Sequence, residues 1–168
     1  MTTMDDLEEL YREIILDHYR SPRNRGELPT PPAHRTEGFN PLCGDEVVVY
    51  LQVEDGVVTD VAISGQGCSI SQSSASMMSA TVKSKPVDEA RRLIRSFKAM
   101  MSIHEHSLGG DETEGHEEPD TVSPDDLGEL AALQGVVKFP VRIKCATLSW
   151  NALAQGLDEI AAGVPSNS

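Results

Sequence analysis

Four side chains in this chain of 168 residues are of the types that do metal or sulfur chemistry together: Cys43, Asp45, Cys68 and Cys145. A deprotonated thiol is both a nucleophile and a soft metal ligand. Three thiolates and one carboxylate in a tetrahedron make a zinc shell, and the harder oxygen ligand leaves such a site easier to open than four tight Cys or His ligands would. An odd number of cysteines at wide spacing is a poor disulfide framework. The competing reading is three inert thiols buried as small hydrophobes. No CxxC pair is present to decide between the two.

The elements around these residues argue for a shared site. Residues 46–53 (EVVVYLQV) and 57–64 (VVTDVAIS) are rich in β-branched side chains and are separated by Glu54-Asp55-Gly56. An acidic turn with Asp-Gly between two such runs predicts an antiparallel hairpin. Cys43 lies just before the first strand and Cys68 just after the second, and in an antiparallel pair those two ends are neighbours. Asp45 is two residues from Cys43, so an extended backbone turns both side chains to one side. Gly44, Gly65 and Gly67 permit the tight backbone that clustered ligands need. Cys68 opens a predicted helix, where the helix dipole favours a thiolate. Cys145 is the remaining thiol and falls in the first turns of the last helix, behind Arg142 and Lys144, whose charge favours a thiolate as well.

Further from the site, the spacing of Leu7, Leu10, Tyr11, Ile14 and His18 predicts an amphipathic helix over 4–20, stopped at Ser21-Pro22. Residues 22–32 read as a connector, and a short extended piece is weakly signalled near 34–39. Helices are expected over 69–83 and 87–101, the second with Pro86 in its first turn and Ala90, Leu93, Ile94, Phe97 and Met101 inward. A flexible acidic loop is expected at about 104–122, then a short helix over 123–133 capped by Ser123, and a last helix from near 140 to about 161. No internal repeat is present. The fold class is α+β: a small antiparallel sheet of about three strands packed against several helices, in one domain over 1–168.

Composition narrows the function. The net charge is −13, but ten acidic residues lie between Lys98 and Lys138 with no Lys or Arg among them, so the rest is nearly balanced. Nucleic-acid binding is disfavoured, since a phosphate backbone needs a basic surface. No apolar run approaches the roughly 18–20 residues of a membrane span. The acidic N-terminus is no signal peptide, so a cytoplasmic location with reduced thiols is expected. His104, His106 and His116 fall in the acidic loop and read as solvated residues rather than ligands. Met77, Met78, Met100 and Met101 read as core packing, and His18 as a satisfied core residue.

Three segments carry a family resemblance: Asn40-Pro41-Leu42-Cys43-Gly44-Asp45, Gly65-Gln66-Gly67-Cys68-Ser69-Ile70-Ser71, and Lys138-Phe139-Pro140-Val141-Arg142-Ile143-Lys144-Cys145-Ala146-Thr147-Leu148. With Leu10-Tyr11-Arg12, Asp17-His18-Tyr19 and Pro22-Arg23-Asn24, they make the chain resemble the SufU branch of the IscU/NifU N-domain family, nearly throughout except the 104–122 loop. The scaffold branch has a histidine directly before the third cysteine and an LPPVK motif upstream. Here Lys144 and Lys138-Phe139-Pro140-Val141-Arg142 stand in those places, and the region 127–137 matches the insertion of the SufU branch. The resemblance implies an IscU/NifU-like (SufE/NifU-like) fold and zinc held by Cys43, Asp45, Cys68 and Cys145. It also implies a pyridoxal-phosphate cysteine desulfurase of the SufS type as partner. In the scheme the resemblance implies, a desulfurase histidine takes over a zinc position, freeing Cys43 as the catalytic thiol that receives persulfide sulfur, which then goes to a downstream iron–sulfur assembly scaffold. The alternative is a scaffold holding a transient iron–sulfur cluster, since thiolates suit both. A zinc deaminase is disfavoured by the lack of an H-x-E and P-C-x-x-C pattern.

Overall fold

A computed structural model describes residues 4–30, 33–41, 44–101, 130–133, 136 and 140–163. The order is α1 (Met4–Arg20), β1 (His34–Asn40), β2 (Asp45–Glu54), β3 (Val57–Gln66), α2 (Ser69–Val82), α3 (Val87–Met101) and α4 (Pro140–Ala162). The strands form one antiparallel sheet in the order β1-β2-β3. The α+β class and the three strands agree with the sequence reading, including the weakly signalled β1. Among the described residues no helix is long and apolar enough to cross a membrane. The expected 104–122 loop lies outside the described residues. So does most of the expected 123–133 helix, of which 130–133 form a 3-10 turn.

The hairpin closes on Asp55 (φ 54°) and Gly56 (φ 77°) between the paired Glu54 and Val57. Two successive left-handed residues are what a two-residue hairpin turn needs to match the strand twist, and Asp-Gly supplies them at least cost. Val47, Val49 and Leu51 alternate onto the helical side of the sheet, where α4 covers β1 and β2 and α2 covers β3. Behind them Met77, Met78, Phe97, Met100, Met101 and Trp150 fill one core, as expected of the methionines. Phe97 and Trp150 stack with ring centroids 4.5 Å apart.

Helix α2 explains its own composition. Ser71, Ser73, Ser74, Ser76 and Ser79 are all buried, small enough to let neighbours approach and able to bond backbone. The Ser74 hydroxyl donates to the Ala146 carbonyl (2.6 Å) and accepts from the Trp150 indole N–H (3.1 Å), which pins α4 to α2. Ser76 Oγ accepts the Arg23 N–H (2.8 Å) and pairs with His18 Nδ1 (2.7 Å), so the buried His18 is the satisfied core residue expected.

Two details differ from the sequence reading. Leu10, assigned to the inner face of α1, is 53% exposed, and the face that packs is Ile14, Ile15 and His18. Helix α1 lies mainly on α2 rather than on the sheet, so its buried stripe is narrower than the apolar pattern. Pro86 precedes the first turn of α3: its carbonyl accepts from Ala90 N (2.9 Å), while Val87 N–H bonds the hairpin carbonyl of Gly56 (2.8 Å). The hairpin turn thereby satisfies a helix N–H that would otherwise lack a partner.

Candidate metal centre

Asp45, Cys68 and Cys145 come together at the end of the sheet where β1 meets β2. Asp45 begins β2 opposite Asn40, the last pair of the β1–β2 ladder. It is 1% exposed. Cys68 follows β3 and is the N-cap of α2, with extended backbone (φ −73°, ψ 171°) and its sulfur accepting the Ser71 N–H at 3.5 Å. Cys145 is in the second turn of α4 and fully buried. Leu148 one turn on fills the space over Gly38 of β1, and Thr36 of β1 donates to the Ala152 carbonyl (2.9 Å), which sets the depth of α4 against the sheet.

One ligand atom from each of the three residues lies within 4.8 Å of the other two. The Asp45 carboxylate is divided in its work. Oδ1 accepts the Cys68 backbone N–H at 3.0 Å, and Oδ2 lies 3.7 Å from Cys68 Sγ. Two ligands of a tetrahedral zinc, one sulfur at about 2.3 Å and one oxygen at about 2.1 Å, must stand about 3.6 Å apart. The Asp45–Cys68 pair therefore already has the spacing of two zinc ligands. Among the described residues Asp45 forms no ion pair with Lys or Arg, and a carboxylate this buried normally pairs with a cation or a metal. The donor set of one carboxylate oxygen and two sulfurs fits zinc.

Two flanking residues escaped assignment from sequence. The Asn40 side-chain amide donates toward Cys145 Sγ (3.9 Å), and Ser71 caps Cys68 with its N–H while its hydroxyl donates to the Cys68 carbonyl (3.1 Å). Both stand inside the cysteine motifs, but nothing in residue type separates them from other Asn and Ser. Cys43 lies outside the described residues. Gly44 beside it has φ 74° and donates to the Asn40 carbonyl (2.8 Å), closing the β1–β2 connection through a left-handed residue. Arg142 and Lys144 are exposed on α4 and Cys145 is buried. His104, His106 and His116 lie outside the described residues.

Comparison with known proteins gives the chain its family. A family model described as the NifU-like N terminal domain matches residues 10–146. The chain is 41% identical over 152 residues to the zinc-dependent sulfurtransferase SufU of Bacillus subtilis, covering 90% of this chain and 92% of that one. It is 35% identical over 154 residues to the iron–sulfur cluster assembly scaffold protein IscU of Streptococcus pyogenes, covering 92% and 86%. Among solved structures, the N-terminal NifU-like protein of Brucella abortus superposes with a TM-score of 0.71 at 25% identity, covering 93% and 97%. A protein of Fervidobacterium islandicum, described as an iron–sulfur cluster assembly scaffold for the SUF system, superposes at 0.72 with 29% identity, covering 89% and 98%. Matched over most of its length in sequence and in fold, the chain belongs to the NifU-like N-terminal domain family.

Proposed function

We propose that this chain is a zinc-dependent sulfurtransferase of iron–sulfur cluster assembly, with Cys43, Asp45, Cys68 and Cys145 as its zinc ligands and Cys43 as the sulfur acceptor. The observation that carries the reading is the buried Asp45, without an ion pair among the described residues, its carboxylate 3.7 Å from Cys68 Sγ and close to Cys145. The 41% identity to a protein named for zinc-dependent sulfur transfer supports the same choice. Chain connectivity adds Cys43: two residues from Asp45, its Cα stays within about 7 Å of that of Asp45.

Zinc bound here keeps its cysteine ligands deprotonated at neutral pH. The acceptor step is thiol–disulfide chemistry. The Cys43 thiolate attacks the outer sulfur of a persulfide on the desulfurase cysteine, the S–S bond of that persulfide breaks, and its cysteine leaves as thiolate. Cys43 then carries the persulfide, with no net oxidation. The donor is a SufS-type cysteine desulfurase, which brings its own pyridoxal phosphate, and the sulfur passes to a downstream iron–sulfur assembly scaffold. The setting is the cytoplasm, where thiols remain reduced, and the functional unit is the single domain 1–168.

Metal analysis of the purified protein alongside desulfurase turnover tests this. Stoichiometric zinc, with stimulation of the desulfurase lost in Cys43→Ala, supports sulfur transfer. A second reading, a scaffold that builds and transfers a cluster, is favoured by the relatives named as IscU scaffolds at 35% and 36% identity. Iron with acid-labile sulfide, and no stimulation, would establish that reading instead. Lys144, in the place where the scaffold branch has histidine, weighs toward sulfur transfer.

A further inference from the structure

Two glycines lead into Cys68, and their surroundings differ in kind. A Cβ at Gly65 would stand 2.3 Å from the Glu46 carbonyl oxygen and 3.0 Å from Val47 Cα, on a residue with φ +116°. Those atoms are the backbone of the paired strand, so a side chain at Gly65 would push β2 and β3 apart. A Cβ at Gly67 would instead meet Ser71 Oγ at 2.5 Å, Asp45 Oδ1 at 2.6 Å and Asp45 Cγ at 3.0 Å. All three are side-chain atoms. Gly67 is also absent from the left-handed residues, so its backbone accepts an L-residue. Filling this position would leave the strands in place and displace the Asp45 carboxylate and the Ser71 hydroxyl.

We propose that Gly67 is a positioning residue of the metal centre, one that reserves the space in which the Asp45 carboxylate is held as a single-oxygen ligand. This rests on the reading of Asp45, Cys68 and Cys145 as metal ligands. The geometry supplies the mechanism. Oδ1 reaches the Cys68 N–H at 3.0 Å only because nothing projects from Gly67. With Oδ1 fixed there, Oδ2 is the oxygen left beside Cys68 Sγ at 3.7 Å. A methyl group at 67 and Oδ1 cannot both occupy this space, so the carboxylate must rotate, and both the N–H bond and the position of Oδ2 are lost. Oxygen donation at the centre then depends on a residue that carries no donor.

The test is Gly67→Ala, with zinc affinity measured by competition against a chromophoric chelator and with cobalt(II) as a spectroscopic probe. Removing a group that orients a metal ligand weakens binding about 10–100-fold, and that rise in Kd is expected here. The visible d–d bands of the cobalt-loaded variant should move to those of Asp45→Ala, while the sulfur-to-cobalt charge-transfer intensity stays at the wild-type level. If Gly67 acts through Asp45, the double variant Asp45→Ala/Gly67→Ala binds zinc no more weakly than Asp45→Ala alone. Wild-type affinity and spectrum in Gly67→Ala would overturn the proposal, and so would full additivity in the double variant. Should Gly67→Ala fail to fold, the double variant, which lacks the opposing carboxylate, must fold; if it does not, the contact that matters is a different one and the proposal falls. A wild-type protein that takes up neither zinc nor cobalt would instead remove the metal-ligand reading on which the proposal rests.

Discussion

Replacing Asp45 with alanine should leave the metal-free protein nearly as stable as before and remove most of the stabilisation that zinc confers. The carboxylate is 1% exposed, accepts the Cys68 N–H at 3.0 Å and forms no ion pair among the described residues. A charge-assisted hydrogen bond of this kind contributes about 1.5–3 kcal/mol, and it is opposed by the several kcal/mol that burying an unpaired carboxylate costs. The two nearly cancel, so truncation is expected to shift metal-free stability by no more than about 1 kcal/mol in either direction. With zinc at about a thousand times its Kd, ligand linkage adds about 4.1 kcal/mol to the wild type. In a chain of this size that is a rise in Tm of about 8–16 °C. Loss of a direct ligand should weaken binding by at least about 100-fold, the upper end of what outer-shell changes produce. The same zinc then stands at about ten times Kd and contributes about 1.4 kcal/mol, a rise of about 3–6 °C. Calorimetry of both proteins, with and without zinc at one concentration, measures all four quantities. A zinc-induced rise of wild-type size in Asp45→Ala, or a metal-free variant destabilised by more than about 3 kcal/mol, would refute the reasoning: the carboxylate would then be a structural group and not a ligand.

Other expectations follow from groups outside the ligand set. Ser149 is 1% exposed, and its hydroxyl has no hydrogen-bond partner among the described residues. Ser149→Ala should therefore stabilise the protein by about 1 kcal/mol, a Tm gain of about 2–4 °C, and a drop in Tm would show that the hydroxyl is satisfied. Gly65→Ala, with its Cβ against the Glu46 carbonyl at φ +116°, should cost more than about 3 kcal/mol in urea unfolding, from strain and clash together; a loss under about 1 kcal/mol would contradict the strand contact. His34, hydrogen-bonded to Glu159 at 2.6 Å, and then Gln155 hold the Glu159 carboxyl below its ordinary 4.5. A depressed carboxyl contributes stability that is complete above the unfolded value and is lost as pH falls through the folded one. Glu159→Gln should accordingly flatten the acid limb of the stability profile below pH 4.5, and an unchanged limb would exclude the pair as its source.

What was legible in the sequence was whatever depends on neighbours along the chain. The β-branched runs and Asp55-Gly56 specify the hairpin, and the hairpin alone brings Asp45 to Cys68. The apolar spacing of α3 also stands as read, because that helix buries its stripe against one continuous core. The reading failed where burial depends on a partner element: Leu10 fits the periodicity of α1 but lies beyond the edge of what α2 covers. The serines of α2 look like a polar surface run by residue type, yet they are buried, and only the position of α4 gives Ser74 its two partners. The roles of Asn40 and Ser71 are hidden for the same reason, since each depends on where a distant sulfur comes to lie.

The framework also bears on which thiol can take up sulfur. An incoming persulfide must bring its outer sulfur into contact with the attacking thiolate. Cys145 is fully buried, behind Asn40 and under the packing of Leu148 on Gly38, and α4 is fastened to α2 through Ser74 and to β1 through Thr36. Exposing its sulfur would mean lifting a 23-residue helix out of the core. Cys68 is half-buried, and its sulfur is the N-cap acceptor of α2 while its own N–H holds Asp45. Moving it would uncap a helix, at about 1 kcal/mol, and release the carboxylate at the same moment. Displacing either of these two thiols disturbs the elements packed around it. These placements suit Cys68 and Cys145 to holding the site, while the proposed assignment of sulfur acceptance to Cys43 rests on the family resemblance.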